Sequence, residues 1–368
     1  MEDRSKAYSR QKHRLAIISL FSQPLILFIL IFSGASLYIK RFAMSVSFNI
    51  YVSLPVFLVI MAFICYLAGL PLLYYSDHIL ERKYGLSNQD IFSWIRRETK
   101  KLLLFFVIGL PIAAMAYIFI KYYPAQWWIL TAMLLFLVSF ILAKFMPLLI
   151  VPLFYKYSPI KDPALKESIL SLAKKTGVSA EGVYEIDISR DTKKANAAVM
   201  GMGKQKRIVL CDTLIRNFTK EEIDIVMGHE LGHHKKHHNL MLVLFEAIST
   251  LAVLFAANII FLRSHGLFWE GKPLHDFESL VLIYAIISAL SVLISPILNA
   301  FSRKLERDAD RFALDITKDK NAFISTMKKL AAQNLADQAP GHFYEIVLYS
   351  HPSISRRISF AESYGTKK

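Results

Sequence analysis

Apolar residues gather into six long blocks, at positions 15–38, 50–74, 102–121, 127–150, 239–262 and 279–300, with basic or mixed segments between them. Each block is close to the ~20 residues that an α-helix needs to cross a bilayer. They predict six transmembrane helices. Between the fourth and fifth blocks the pattern changes to that of a water-facing domain. Asp162 and Pro163 read as N-cap and first helical residue, Leu165, Ile169 and Leu172 share one face, and Gly177 marks the stop. Positions 183–188 alternate as a short strand. Positions 196–200 and 207–211 read as a hairpin around 201–206. A helix then spans 219–238, with Thr219 and Glu222 forming a capping box and Ile223, Val226 and Met227 a docking stripe. It runs almost directly into the fifth block at Asn239, which would hold its far end at the membrane face.

This pattern divides the chain into four parts: a four-helix membrane region (1–156), a small α/β domain (157–238), membrane helices five and six (239–301), and a C-terminal segment (302–368). The fold class expected is an α-helical polytopic membrane protein bearing a small α/β domain. Composition agrees: 368 residues, 54% hydrophobic and 20% charged, are too apolar for an ordinary water-soluble domain of this length. The net charge of +15 does not point to nucleic acid, because the basic residues are spread along loops rather than gathered in one module. They report orientation instead. Lys and Arg number 5, 6, 15 and 12 in the N-terminal tail, 76–101, 156–238 and the segment after 301. They number 2, 1 and 2 in the opposite loops near 39–47, 121–126 and 263–278. Such a bias places both termini and the α/β domain on the cytoplasmic side. The first block is long for a signal peptide and reads as a retained anchor. Cys65 and Cys211 cannot make a disulfide framework and read as reduced.

The candidate chemistry lies in the helix at 219–238. His229, Glu230 and His233 form H-E-x-x-H, and residues four apart on a helix share a face, so both imidazoles can reach one metal ion. Neutral imidazole suits zinc. Glu230, one residue round the helix, can take a proton from water at the metal and return it to a leaving amine. The alternative is a histidine-rich solvated helix end, which the following HHKKHH makes tempting; His234, His237 and His238 are read as non-ligands. A catalytic zinc wants three protein ligands. Glu306, just beyond the sixth block, is a candidate third, with Asp310 on the same helix face hydrogen-bonding a ligand imidazole. A solvated, ion-paired helix end is the alternative there, and spacing alone does not separate the two. Near the C-terminus, His351 with Arg356 and Arg357 could stabilise an oxyanion.

Taken together these blocks resemble the integral-membrane zinc metalloproteases of the type I CAAX prenyl protease family. The matching segments are YSDHILERKYGLSNQD near 75–90, NAAVMGMGKQKRIVLCDTLI at 196–215, VMGHELGHHKKHH at 226–238, SRKLERDAD at 302–310 and YSHPSISRRI at 349–358. The resemblance implies one zinc held by His229, His233 and Glu306 in a gluzincin-like domain. It implies Glu230 as general base and acid, Asp310 in support, and His351 and Arg357 near the substrate carbonyl. It implies Asn196 and Ala197 on an edge strand that pairs with a peptide, and helices enclosing an intramembrane chamber. Departures are NAAVMG where the family has an aromatic-rich NAYFYG strand, His234 where tryptophan commonly follows HELGH, and six spans against the seven of eukaryotic members.

The function expected is therefore a membrane-embedded zinc endopeptidase that removes the C-terminal tripeptide of prenylated CAAX proteins. The compact chain also looks like prokaryotic members, for which general membrane-protein quality control without a prenyl requirement is the alternative. A zinc transporter or binding scaffold is the alternative of another class. Transporters place their ligands within the spans, whereas the only acid deep in a late span here is Glu246, with no His or Asp partner in the sixth. Expected partners are a peptide or protein substrate and the bilayer, with no nucleic acid and the oligomeric state open. The expected location is a bacterial inner membrane or the endoplasmic reticulum membrane.

Overall fold

The computed structural model describes residues 2–201, 206–268 and 273–365. Six helices among these are long and apolar enough to cross a membrane. The chain opens with α1 (Glu2–Phe32), α2 (Ala35–Val46) and α3 (Ile50–Tyr74), the last passing through a π-helical turn (Tyr75–Ile79) into α4 (Leu80–Lys83). Then come α5 (Ile91–Tyr122), α6 (Trp127–Phe145) and the short α7 (Val151–Phe154). Along α1, Leu27 and Leu30 are buried, while Ile18, Phe21, Leu25 and Ile29 stay exposed at helical spacing. Left uncovered by the described residues, that apolar stripe suits contact with lipid tails.

The first block differs from expectation. Instead of one helix across 15–38, the chain breaks at Ser33 and Gly34, where Gly34 takes a φ of 74°, open to glycine without a Cβ penalty. The region expected as an outer loop near 39–47 is largely α2, packed against α3 and α12 (defined below) and tied by a Lys40–Asp276 ion pair. Twelve residues rise only about 18 Å, so α2 does not span a bilayer.

The α/β domain contains α8 (Pro163–Thr176), α9 (Asp212–Asn217), α10 (Lys220–Lys235) and four strands: β1 (Tyr157–Pro159), β2 (Gly182–Ile186), β3 (Ala197–Met200) and β4 (Arg207–Cys211). The sheet order is β1-β2-β4-β3; β2 and β4 are parallel, and the outer pairs are antiparallel. Helix α8 forms as its sequence dictates. Asp162 accepts hydrogen bonds from the amides of Ala164 and Leu165, Pro163 needs no partner at the first position, and Gly177 ends the helix at φ 73°. Its face of Leu165, Ile169 and Leu172 joins Val183, Val199, Ile208, Leu210, Ile223 and Met227 in one core. The strand expected at 183–188 stops at Ile186, and Ile188–Arg190 turns as a 3-10 segment whose Ser189 amide donates to Asp212. The hairpin pairs in register from Ala197↔Leu210 to Met200↔Arg207; residues 202–205 of its expected turn lie outside the described residues.

The remaining helices are α11 (His238–Phe268), α12 (Phe277–Thr317), α13 (Lys320–Asn334), α14 (His342–Leu348) and α15 (Ile354–Ser363). The helix expected over 219–238 ends at Lys235, and His237 adopts φ 57°, a left-handed value costly for a residue with a Cβ. His238 then starts α11 on a new axis. By contrast α12 continues unbroken from the membrane into the peptidase region. The membrane helices and the α/β domain meet at one end of the molecule. There buried Glu81 pairs with Lys12 of α1 and Lys194 before β3, each at 2.9 Å, and accepts the Tyr8 hydroxyl. The basic N-terminal segment, the 76–101 region and the α/β domain thus lie together.

Candidate metal centre and active site

Helix α10 is held by its ends and by its small residues. The capping box is formed in both directions: Thr219 Oγ1 accepts the Glu222 amide, and Glu222 Oε2 accepts the Thr219 amide at 2.9 Å. A cap of this kind stabilises by ~1 kcal/mol. Glu222 also binds Lys329 and Ser325 of α13, so the helix start is anchored to the C-terminal region. One face of α10 is flattened by Gly228 and Gly232, which let α12 approach. A Cβ on Gly228 would stand 3.3 Å from the Ala313 Cα. This close approach sets His229 and His233 against Glu306 and Asp310.

His229, His233 and Glu306 converge, with a candidate ligand atom from each lying within 4.8 Å of the others. The two Nε2 atoms are 3.1 Å apart; His229 Nε2 is 3.2 Å from Glu306 Oε2, and His233 Nε2 is 3.4 Å from Glu306 Oε1. On the far side of the first ring, His229 Nδ1 donates to Asp310 Oδ1 at 2.9 Å. In the neutral imidazole this leaves Nε2 as a lone pair directed at a carboxylate. Glu306 Oε2 is buried and makes no hydrogen bond. Two acceptors facing each other in a buried site call for a cation, and the donor set of two imidazoles and one carboxylate fits zinc. The charge balance says the same. Burial disfavours a charged His229, yet the Asp310 and Glu306 carboxylates overcome it and push its pKa up to about 9.

Glu230, the next residue on α10, is half-buried, and burial raises its carboxyl above the ordinary range against the pull of His229 and His233. From α15, Arg357 forks onto Asp310, with Nε to Oδ2 at 2.9 Å and Nη2 to Oδ1 at 2.5 Å. It thus grips the carboxylate that holds His229, and its Nη2 also stands 3.5 Å from His229 Nδ1. His351 is exposed, with Nε2 3.3 Å from Glu306 Oε1. Ala197 opens edge strand β3, and Asn196 immediately precedes it. The Asn196 side chain accepts the Ala197 amide at 2.9 Å, and the Asn196 carbonyl accepts the Cys211 amide. His234, outside the metal group, donates to the Val199 carbonyl at 2.7 Å and so fastens β3 to α10.

The sequence reading did not find His238 and Asp308. His238 Nδ1 lies 3.1 Å from His233 Nδ1, and its Nε2 3.2 Å from Asp308 Oδ2. Five residues apart, His233 and His238 would face different ways on a continuous helix; the turn at 236–237 brings them together, so helical spacing could not pair them. A cavity of about 830 Å³ begins among α1 and α3, where Ser22, Gln23, Cys65 and Tyr66 line it, and reaches Tyr349 and His351 beside the metal group.

Comparison with known proteins agrees with this geometry. Residues 159–364 match peptidase family M48, and residues 2–156 match the CAAX prenyl protease N-terminal region, described as having five membrane helices. Here residues 2–156 contain four helices of spanning length and the shorter α2. The chain is 30% identical to the uncharacterized metalloprotease YhfN of Bacillus subtilis over 97% of its own length and 84% of that relative. It is also 30% identical to CAAX prenyl protease 1 of Saccharomyces cerevisiae, over 85% of this chain and 72% of the yeast protein. The crystal structure of S. mikatae Ste24p superposes with a TM-score of 0.86 at 26% identity, covering 97% of this chain and 88% of that one. The chain belongs to peptidase family M48, as a multi-pass membrane metalloprotease whose metal-ligand group is His229, His233 and Glu306.

Proposed function

We propose that this protein is a zinc endopeptidase that takes peptides from the membrane into its helix-lined cavity and cuts them on the cytoplasmic side, with prenylated CAAX C-termini as its substrate class. The observation that carries this reading is that a cavity starting between membrane helices reaches His351, whose Nε2 stands 3.3 Å from Glu306 of the metal group. A water-soluble peptide needs no such route, whereas a peptide bearing a lipid does. The matched N-terminal region and the yeast relative, named as CAAX prenyl proteases, support the same substrate.

Zinc held by His229, His233 and Glu306 supplies Lewis acidity, polarising a carbonyl and acidifying water. Glu230 removes the proton of the attacking water, and its raised affinity for protons suits it to deliver that proton to the leaving amine. His351, exposed beside Glu306, donates to the developing oxyanion. Arg357 holds Asp310 in place, and through it the tautomer of His229. The free edge of β3 at Asn196 and Ala197 pairs with the substrate backbone.

Purified protein is offered a farnesylated CAAX peptide and its unprenylated twin, with Glu230→Gln and chelator-treated protein as controls. Zinc-dependent cleavage strongly favouring the farnesylated peptide is expected. Equal cleavage of both would replace the prenyl substrate with general membrane proteolysis. Folded, zinc-loaded protein that cleaves nothing in a broad panel, like its Gln variant, would overturn the peptidase assignment.

A further inference from the structure

His238 is 1% exposed although it follows a turn at the membrane face, and it is neither a ligand nor part of the apolar core. Its ring meets His233 edge-on, with centroids 5.1 Å apart. Both contacts of the ring are polar: Nδ1 to His233 Nδ1 at 3.1 Å and Nε2 to Asp308 Oδ2 at 3.2 Å. Two facing imidazole nitrogens form a hydrogen bond only when one carries the proton and the other does not. Asp308 decides which. A carboxylate only accepts, so it draws the His238 proton to Nε2 and leaves His238 Nδ1 as an acceptor. His233 must then carry its proton on Nδ1, which frees its Nε2 lone pair to point at His229 and Glu306.

We propose that Asp308 and His238 form a relay that fixes the tautomer and ring orientation of His233, as Asp310 does for His229, and so position the second imidazole for zinc. His238 is a positioning residue; it touches neither the metal group's ligand atoms nor the cavity. The backbone serves this arrangement. The left-handed His237 ends α10 and lets α11 begin with His238 turned back under His233. Lys236 pairs at 2.5 Å with the other carboxylate oxygen, Oδ1, outside the relay, which runs through Oδ2. α12 thus serves the centre three times within five residues, through Glu306, Asp308 and Asp310. The proposal rests on the reading of His229, His233 and Glu306 as a zinc site.

The test measures zinc affinity of the full-length protein in detergent by competition with a chromogenic chelator, alongside the melting temperature of the metal-free form. His238→Phe keeps a flat ring but no acceptor, and its affinity is expected to fall ~10–100-fold, the usual effect of losing a partner of a metal-bound histidine. His238→Asn returns an acceptor oxygen near the Nδ1 position and is expected to stay within about threefold of wild type, a rescue that packing alone does not explain. Asp308→Ala is expected to weaken zinc severalfold, whereas Lys236→Met, which loses the ion pair but keeps the relay, leaves it unchanged. A His238→Phe protein that binds zinc like wild type overturns the relay. If that variant does not fold, wild-type affinity in Asp308→Ala does the same. Equal losses in Asp308→Ala and Lys236→Met would assign the effect to the helix junction and also overturn it. Wild-type protein that holds no zinc overturns the metal centre, a separate and recognisable failure.

Discussion

At the scale of single residues, the site is governed by which nitrogen of each histidine carries a proton. His229 is directed by Asp310, and Asp310 is itself gripped by the Arg357 fork. A guanidinium matches a carboxylate with two parallel bonds, whereas an ammonium is a single point of charge. Arg357→Lys therefore keeps the charge but releases one carboxylate oxygen. We expect zinc affinity and kcat/KM to fall ~10–100-fold, in line with the loss of a supporting contact to a metal ligand. Wild-type values for both in the Lys variant would show that the fork has no part in holding His229. Residue-level reading of the sequence found H-E-x-x-H from helical spacing; Glu306 and Asp310 also share a helix face, but spacing left a solvated, ion-paired helix end open, and the resemblance named them. It read Arg357 near the substrate carbonyl; what it did not foresee is the fork onto Asp310, 47 residues away in the chain. No local pattern reports such a distant pairing.

At the scale of elements, the decisive contact is α10 against α12. The histidines ride on one helix and the acids on the other, so the separation of the helices sets the size of the metal site. Gly228 permits that separation, because its missing Cβ would press on the backbone of Ala313 rather than on a side chain that could move aside. Gly228→Ala gains ~1 kcal/mol of helix propensity but adds a methyl group to a packed contact, at a cost of ~1–3 kcal/mol. We expect a net loss of thermal stability and a larger loss of zinc affinity, measured on the same protein by melting and chelator competition. A stabilised variant with unchanged zinc binding would mean that the helices part without disturbing Glu306. The capping box and the Asp162-Pro163 start of α8 were plain in the sequence, because caps are local chemistry. The breaks at Gly34 and His237 were not, since apolar patterning continues through the first and histidines through the second. Strand β1 was also missed: three residues are too few to show alternation.

At the scale of the whole molecule, two halves of different chemistry share one active site. The membrane helices expose apolar faces and line the cavity, while α10 and the C-terminal part of α12 build the metal group beside His351, where the cavity arrives. Positive loops gather on the side that carries that group, which supports a cytoplasmic active site. Single cysteines test this in a background where Cys65 and Cys211 are replaced. Exposed Glu167 of α8 and exposed Phe48, between α2 and α3, are suitable positions. In intact cells a membrane-impermeant maleimide should label Phe48→Cys and spare Glu167→Cys until the membrane is opened. Labelling of Glu167→Cys from outside would reverse the assigned topology.

The sequence by itself determined what depends on neighbours along the chain: six membrane-spanning blocks, the caps and the β3–β4 hairpin of the α/β domain, and the helix that carries His229, Glu230 and His233. Hydrophobic thickness, helical period and end-capping are short-range rules, so they can be read from one strand of text. Only the tertiary structure decided how the metal group is completed and supported. Glu306 arrives from another helix, 77 residues beyond His229, Arg357 reaches Asp310 from the C-terminal helix, and His238 is folded back by a left-handed residue. Those contacts depend on the distance between packed helices and on the direction of individual side chains, which no periodicity encodes.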